Sequence, residues 1–188
     1  MKAIIRADHT DPGFVDQVNV LSGTNVGLCF HCRSCANGCP FVEAMDYAPH
    51  GVFRLVQFGL REEAFSCSTI WICVGCHTCS IQCPMAIDIP AVMDAICQMA
   101  LEQGIEAAEP DILRFHREVI RSIGHYGRTH KLEIMLRYKL GAGKWFEDMD
   151  VGLRMLAKRK LDIRPSRIQK MKEIEALFQD SQYGGPNV

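Results

Sequence analysis

The sequence predicts an all-α protein. Strand-like alternation of apolar and polar residues is almost absent from its 188 residues. Apolar residues instead recur at helical spacing, most clearly from about Asp88 to Gln103. Proline and glycine lie where such a helix would begin and end, at Pro90 and Gly104. We therefore expect helices joined by turns, forming one domain or one small domain with an appendage.

Before the helix at Asp88, the sequence predicts an extended amino-terminal arm, or an edge contact, followed by short helices. The arm covers residues 1–25, with a weakly strand-like start over Met1–Ala7 and a turn near Pro12. The short helices are expected at 41–45, from Pro49 to near Gly59, and over Ser66–Ile72.

After Glu109 the sequence pattern changes to helical segments without cysteine. Four further helices are expected, beginning at Pro110, around Leu132–Leu136, from about Met149 to Lys158, and after Pro165 through Phe178. No cysteine lies in this part of the sequence. We therefore predict three regions: an arm over 1–25, a chemically active domain over 26–104, and a cysteine-free helical extension over 105–188.

Two cysteine runs of identical spacing dominate the central region. Each reads C-x2-C-x2-C-x3-C-P, and the second run follows the first at an offset of 44 residues. The runs are Cys29, Cys32, Cys35 and Cys39, and Cys73, Cys76, Cys79 and Cys83. This spacing is the bacterial-ferredoxin pattern that holds two 4Fe–4S clusters. The sequence therefore predicts two such cofactors and one-electron transfer between them.

The spacing also predicts which cysteines share a cluster. Three thiolates two residues apart can each hold one corner of a cubane, whereas the fourth is displaced and ligates the other cluster. The first cluster is expected on Cys29, Cys32, Cys35 and Cys83, and the second on Cys73, Cys76, Cys79 and Cys39. No residue is predicted to be catalytic.

Structural zinc and disulfides are the alternatives for these eight cysteines. Four-cysteine zinc sites also use C-x2-C pairs, but zinc needs neither a third cysteine two residues on nor the trailing Cys-Pro. Disulfides belong to oxidising compartments, and residues 1–8 contain no apolar secretory segment. We therefore expect reduced thiols in a cytoplasmic protein.

Two cysteines and two histidines lie near the runs without a predicted ligand role. Cys67 and Cys97 are expected to pack as small apolar side chains. His31 and His77 fall inside the cluster loops, where every ligand position already has a cysteine. We expect these histidines at the surface or beside the ligands, where hydrogen bonds to sulfur could tune the reduction potential.

Charge and hydropathy limit the classes of partner. The net charge of −1 gives no bulk electrostatic case for nucleic acid. No run of 18 apolar residues occurs, so we expect no membrane span. The stretch Arg154–Lys172 has eight Lys or Arg residues and one acid, Asp162. Such a stretch is usually a solvated helix face, with docking of a partner as the alternative.

The helical pattern over the 33 residues between Cys39 and Cys73 distinguishes this chain from the compact β-rich ferredoxins. Further features are Ser68–Cys73, the Cys83-Pro84 exit, and Gly127-Arg128 with Glu133 beyond it. On these features the chain resembles the C subunit of heterodisulfide reductase, an α-helical ferredoxin. One departure is His31-Cys32-Arg33, where many relatives carry Gln-Cys-Gly.

The resemblance implies a non-catalytic electron-relay subunit of an oxidoreductase, working in a hetero-oligomer. In that family the C-type protein passes electrons through two clusters from a flavin-containing A-type subunit to a B-type subunit. The B-type subunit reduces a disulfide with clusters bound by Cys-Cys-Gly motifs. This chain has no Cys-Cys pair, so we expect no disulfide reduction by the isolated chain.

Two other functions compete with this one. The first is the iron–sulfur subunit of a quinone-linked membrane dehydrogenase, of the fumarate reductase or glycerol-3-phosphate dehydrogenase type. Such subunits usually have an additional 2Fe–2S domain, for which this chain has no cysteines. The second is a zinc scaffold without redox function.

Overall fold

The computed structural model describes residues 10–142, 149–158 and 168–180. Over these ranges the secondary structure is helical without a strand, so the predicted all-α class is confirmed. The chain divides into two compact units, Met1–Pro110 and Asp111–Val188. The strand-like tendency predicted at Met1–Ala7 lies outside the described residues.

The first unit contains the cysteine runs. Its α-helices are α1 (Phe14–Ser22), α2 (Ser34–Asn37), α3 (Pro49–Gln57), α4 (Arg61–Ser66), α5 (Thr69–Ile72), α6 (Thr78–Ile81) and α7 (Ile89–Glu102). Two short 3₁₀ turns lie at Val26–Leu28 and Val42–Ala44. The predicted helices at 41–45, from Pro49, over Ser66–Ile72 and over Asp88–Gln103 correspond to described elements within a few residues.

The extended conformation predicted for the amino-terminal arm is wrong for Phe14–Ser22, which form helix α1. The cause is tertiary packing, because Phe14 and Val18, one helical turn apart, are both fully buried. The Phe14 ring meets the Phe65 ring edge to face, with the centroids 5.5 Å apart. This contact fixes α1 against the core of the first unit.

Helices α3 and α7 occupy equivalent places in the two halves of the first unit. Helix α3 packs on the 3₁₀ turn at Val26–Leu28 and on α2, while α7 packs on α5 and α6. Both helices also contact α1 and α4. Their buried positions follow one pattern, with Val52, Phe53, Leu55 and Val56 in α3 and Val92, Met93, Ala95 and Ile96 in α7.

The two helices also end alike. Each is followed by a glycine with positive φ, Gly59 (68°) and Gly104 (67°). The amide of the residue after this glycine bonds back to a helix carbonyl, from Leu60 to Leu55 (2.8 Å) and from Ile105 to Ala100 (3.0 Å). This closure of the last helical carbonyls by a left-handed residue is the Schellman motif.

The second unit contains four described helices. They are α8 (Pro110–Tyr126), α9 (Lys131–Ala142), α10 (Met149–Ala157) and α11 (Met171–Asp180). All four correspond to predicted helices. Helix α11 begins at Met171, and the predicted helix start after Pro165 lies outside the described residues. Among the described residues, no helix combines the length and apolar character needed to cross a membrane.

The turn between α8 and α9 is held by a buried serine. The Ser122 hydroxyl accepts a hydrogen bond from the His130 amide at 2.8 Å and donates to the Arg128 carbonyl at 3.4 Å. Gly127 adopts φ 73° in this turn, where a Cβ would collide with Ile168. The Gly127-Arg128 pair singled out in the sequence therefore shapes a helix–helix connection.

Candidate metal centres

The two cysteine runs fold into loops with nearly the same backbone. Each loop places two residues in the left-handed region, His31 and Arg33 in the first and Gly75 and His77 in the second. Both pairs are separated by the 44-residue offset of the cysteines. Left-handed backbone costs energy for residues other than glycine, and such strain concentrates at functional sites. The repeated spacing has therefore become a repeated loop geometry.

Each loop then enters a short helix that carries its third cysteine inward. Cys35 lies on α2 and Cys79 on α6, and each is 8% exposed. The two helices contact each other. At this contact a Cβ on Gly38 would overlap the amide of Gln82, so the two loops approach closely.

The first cavity is surrounded by four thiols, three from the first run and one from the second. Its lining residues are Cys29, His31, Cys32, Arg33, Ser34, Cys35, His50, Phe53, Cys83, Ile87 and Ile89. Its empty space, including the mouth, is about 320 Å³. Cys39, the fourth cysteine of the first run, does not belong to this lining.

The second cavity shows the reciprocal arrangement. Its lining residues are Cys39, Phe41, Met45, Pro49, Cys73, Val74, Cys76, Cys79, Ile89, Pro90 and Met93. Its empty space, including the mouth, is about 390 Å³. Ile89 belongs to the linings of both cavities and is 3% exposed, so its side chain forms a shared apolar wall.

All ten cysteines of the chain are free thiols. Within the described parts of the chain, no three Cys, His, Asp or Glu side chains converge closely enough to hold a single metal ion. Each set of four thiols instead surrounds a volume. That arrangement fits a cubane, whose four irons take one thiolate each. In the first cavity a buried polar atom, His50 Nδ1, has no partner in the protein and could donate a hydrogen bond to a cluster.

Burial is the main influence on the pKa of the thiols on the inner side of each cavity. It raises the pKa of Cys29, Cys35 and Cys73 above the ordinary value, and it raises the pKa of Cys79 to about 11. The negative charge of neighbouring thiolates adds to this increase, and the coupled neighbours include Cys83 for Cys29 and Cys39 for Cys73. A bound metal centre would hold these sulfurs as thiolates.

The second cysteine of each run lies at the surface. Cys32 and Cys76 are exposed, and each has a lowered pKa because a neighbouring hydroxyl, Ser34 or Thr78, hydrogen-bonds to its sulfur. The Sγ–Oγ distances are 3.3 and 3.5 Å. Each cavity thus has one solvent-facing corner, where an electron could cross to another protein.

Hydrogen bonds from outside the runs order the first loop. The Gln57 amide, at the end of α3, donates to the carbonyls of Val26 and Cys29 at 3.1 and 3.2 Å. Its oxygen lies 2.8 Å from His31 Nε2, so His31 donates there and is held against α3. The sequence did not single out Gln57, because an amide at the end of a helix has no distinguishing local pattern.

Two carboxylates order the second loop and its approaches. Asp46 accepts hydrogen bonds from the amides of Ser68 and Thr69 at 2.9 and 3.2 Å, which fixes the start of α5. Asp88 caps α7 by accepting a hydrogen bond from the Ala91 amide at 3.4 Å. Asp88 also lies 3.5 Å from His77 Nδ1.

The two remaining cysteines lie apart from both cavity linings. Cys67 is 2% exposed, and its thiol donates to the Ala64 carbonyl at 3.2 Å. Cys97 donates to the Ile70 carbonyl at 3.2 Å. Burial raises the pKa of Cys67 to about 11 and also raises that of Cys97. Both thiols pack against backbone carbonyls and away from the cavities, which agrees with the expectation from sequence.

The fold and these sites define an all-α carrier of iron–sulfur clusters, and comparison with known proteins agrees. Residues 28–88 match the 4Fe-4S dicluster domain family. One relative is the C subunit of the H(2):CoB-CoM heterodisulfide,ferredoxin reductase of Methanothermobacter marburgensis. The two sequences are 29% identical over 144 residues, which is 75% of each chain.

Two further relatives carry related names. The iron-sulfur C subunit of the CoB--CoM heterodisulfide reductase of Methanopyrus kandleri is 26% identical over 55% of this chain and 58% of its own. A protein of Archaeoglobus profundus, named as similar to the heterodisulfide reductase C subunit, is 26% identical over 60% of this chain and 57% of its own. The chain thus contains a 4Fe-4S dicluster domain and is similar to iron–sulfur C subunits of heterodisulfide reductases, which are oxidoreductases.

Proposed function

We propose that this chain holds two 4Fe–4S clusters and relays single electrons within a heterodisulfide reductase-type complex. The observation that carries the proposal is the exchange of cysteines between the two cavities. Each cavity has three thiols from one run and the fourth from the other, which is the ligand crossing of two-cluster ferredoxins.

The proposed ligand sets follow the linings of the cavities. One cluster is held by Cys29, Cys32, Cys35 and Cys83, and the other by Cys73, Cys76, Cys79 and Cys39. The clusters supply one-electron redox chemistry. The protein supplies the thiolates, the apolar wall at Ile89 and the hydrogen bonds that fix both loops.

The proposed partners are a flavin-containing A-type subunit as electron donor and a Cys-Cys-Gly B-type subunit as the disulfide-reducing acceptor. Support comes from the names of the relatives, which describe C subunits of heterodisulfide reductases. The chain itself has the geometry of a carrier, with one exposed cysteine at each cavity. The cytoplasmic location stays a prediction.

Metal analysis tests the cluster content. Anaerobically purified chain should contain about eight irons and about eight sulfides, four of each for every cubane. The Cys67→Ala and Cys97→Ala variants should keep the full content, because neither thiol lines a cavity. Two tightly bound zinc ions without iron would contradict the proposal.

An activity assay tests the relay role. The cluster-loaded chain is mixed with reduced viologen and a disulfide, first alone and then with the A-type and B-type subunits. We expect the chain alone to become reduced without consuming the disulfide, and the full complex to turn over. Sustained disulfide reduction by the isolated chain would show that it has a catalytic site of its own.

A further inference from the structure

The loops around the two cavities have nearly the same backbone conformation, but the side chains that surround their thiols differ. Apart from its cysteines, the second cavity is lined only by apolar residues. The first cavity is lined in addition by Arg33, Ser34 and two histidines, His31 and His50. Two clusters in these cavities would therefore experience different electrostatic environments.

The difference extends to equivalent positions on α3 and α7. Phe53 lines the first cavity and Met93 lines the second, and they occupy the same place in the shared burial pattern. The next residue is exposed in both helices, but it is Arg54 in α3 and Asp94 in α7. The two helices therefore present opposite charges at equivalent positions beside the two cavities.

Helix geometry places both charges on the faces that border the cavities. Arg54 follows the lining residue His50 by four positions in α3, and Asp94 follows the lining residue Pro90 by four positions in α7. Because residues four apart are neighbours on one face of a helix, each charge lies beside the cavity of its own half.

A second equivalent pair differs in hydrogen bonding. His50 is the second residue of α3, and Pro90 is the second residue of α7. Each lines the cavity of its own half. His50 Nδ1 is buried without a partner, so a proton there can be donated to a cluster sulfur, while proline has no polar side-chain atom.

The third pair lies within the loops themselves. Arg33 and His77 have the same left-handed backbone, with φ 65° and 57°. Arg33 lines the first cavity and carries a permanent positive charge. His77 does not line the second cavity and faces the Asp88 carboxylate at 3.5 Å.

Reduction makes a cluster with four thiolate ligands more negative. Nearby cations and N–H donors to sulfur stabilise that added charge, whereas carboxylates and apolar walls oppose it. All three pairs of positions therefore act in the same direction.

We propose that Arg33, His50 and Arg54 hold the cluster of the first cavity at a higher reduction potential than the cluster of the second cavity. One electron then enters beside Cys76 from a reduced one-electron donor protein. It passes to the first cavity and leaves beside Cys32 to an oxidised acceptor protein. No bond is formed or broken, and no proton moves. This inference rests on the proposed function.

A potentiometric titration of the cluster-loaded chain, followed by electron paramagnetic resonance, tests the order of potentials. His50→Leu and Arg54→Glu should each lower the higher-potential wave, and Asp94→Asn should raise the lower-potential wave. For the charge reversal, a change of about tenfold in the one-electron equilibrium constant is expected, or about 59 mV.

Two control variants test whether the effect depends on the sign and the position of the charge. Arg54→Lys keeps the positive charge and should leave both waves in place. Glu102→Gln removes a carboxylate from the same helix as Asp94, but about 12 Å further along at 1.5 Å per residue. It should therefore move neither wave.

The outcomes distinguish this inference from the proposed function. If Arg54→Glu lowers the lower-potential wave, or moves neither wave while iron content is unchanged, the inference is overturned and the relay proposal stands. If the unmodified chain contains no redox-active cluster, both are overturned. Arg54 is exposed. Its variants should therefore fold and give measurable reduction potentials even if His50→Leu fails to fold.

Discussion

Helices α3 and α7 stand at equivalent places beside the two cavities, but they differ in length and in what they support. Helix α3 has nine residues and contains His50, which lines the first cavity, and the exposed Arg54. Helix α7 has 14 residues and contacts α1, α4, α5 and α6, so it forms the centre of the first unit. The comparison shows that the cysteines, turns and buried pattern are repeated, while the charges around them have diverged.

The largest expected effect comes from removing a cysteine that one run contributes to the cavity of the other run. Cys83→Ser should abolish the same cluster signal as Cys29→Ser, and Cys39→Ser the same signal as Cys73→Ser. Each variant should lose roughly half of the bound iron, because one of two cubanes loses a ligand. Iron analysis and electron paramagnetic resonance of the reduced chain measure both effects. If the Cys83→Ser spectrum matches that of Cys73→Ser instead, each run holds its own cluster.

Spacing made this part of the molecule predictable. The eight proposed ligands are identified by short, local intervals. Pro49, Asp88 and Gly104 mark the starts and ends of helices by rules that act within a few residues. Helix α1 was missed because its stability comes from distant contacts of Phe14 and Val18, which no local pattern reveals.

The proposed contributions of His50, Arg54 and Asp94 to the reduction potentials could not be predicted from the sequence for a different reason. The equivalent positions on the two helices recur at an offset of 40 residues rather than the 44 of the cysteines. The signal was nevertheless present in the sequence, since Val52–Val56 and Val92–Ile96 share one arrangement of apolar and charged residues. Only the structure shows that both segments border a cavity.

A matched pair of core substitutions compares the support that α3 and α7 give. Phe53 and Met93 are each 1% exposed, and each lines its own cavity. Phe53→Ala should cost about 3–5 kcal/mol and Met93→Ala about 2–5 kcal/mol of unfolding free energy. Each variant should also lose its own cluster faster in air. Anaerobic urea unfolding and the decay of the cluster signal measure the two effects.

The control for this pair is Phe58→Ala. Phe58 is 49% exposed, and the Arg54 guanidinium lies 5.1 Å from its ring centroid. Loss of this exposed contact should cost only about 0.5–1 kcal/mol. A loss as large as that of Phe53→Ala would show that side-chain removal near the end of α3 is costly regardless of burial.

The glycines that end the two helices offer a finer comparison. Gly104→Ala meets no atom within 4 Å and should cost only the left-handed backbone strain, about 1–2 kcal/mol. At Gly59 a Cβ would also collide with the backbone of Asp11, which adds about 1–3 kcal/mol of overpacking. Gly59→Ala should therefore be clearly the more destabilising variant in urea unfolding. Equal losses of unfolding free energy in the two variants would show that the backbone at Asp11 moves away from the added Cβ without an energetic cost.

The smallest expected effect concerns Asp46, which joins the two halves by capping α5. Hydrogen bonds from Ser68, Thr69 and Tyr47 outweigh the opposing effect of burial and lower the pKa of Asp46. Asp46→Asn should cost about 1 kcal/mol at pH 7, because hydrogen bonds to a charged group stabilise a protein by about that much more than hydrogen bonds between neutral groups. Because the folded-state pKa lies below the unfolded value of about 3.9, the carboxylate's contribution is present above that pH and is lost as the pH falls through the folded-state pKa.

The difference in urea midpoint between the unmodified chain and Asp46→Asn should therefore stay constant from pH 7 down to about 4.5. Glu43→Gln removes a carboxylate from the neighbouring 3₁₀ turn, where the side chain is exposed, and should change stability by less than about 0.5 kcal/mol. A difference for Asp46→Asn that stays unchanged as the pH falls from about 4 to about 2 would show that the pKa of this carboxyl is not lowered. In that case its hydrogen bonds would contribute less to joining the two halves than the geometry indicates.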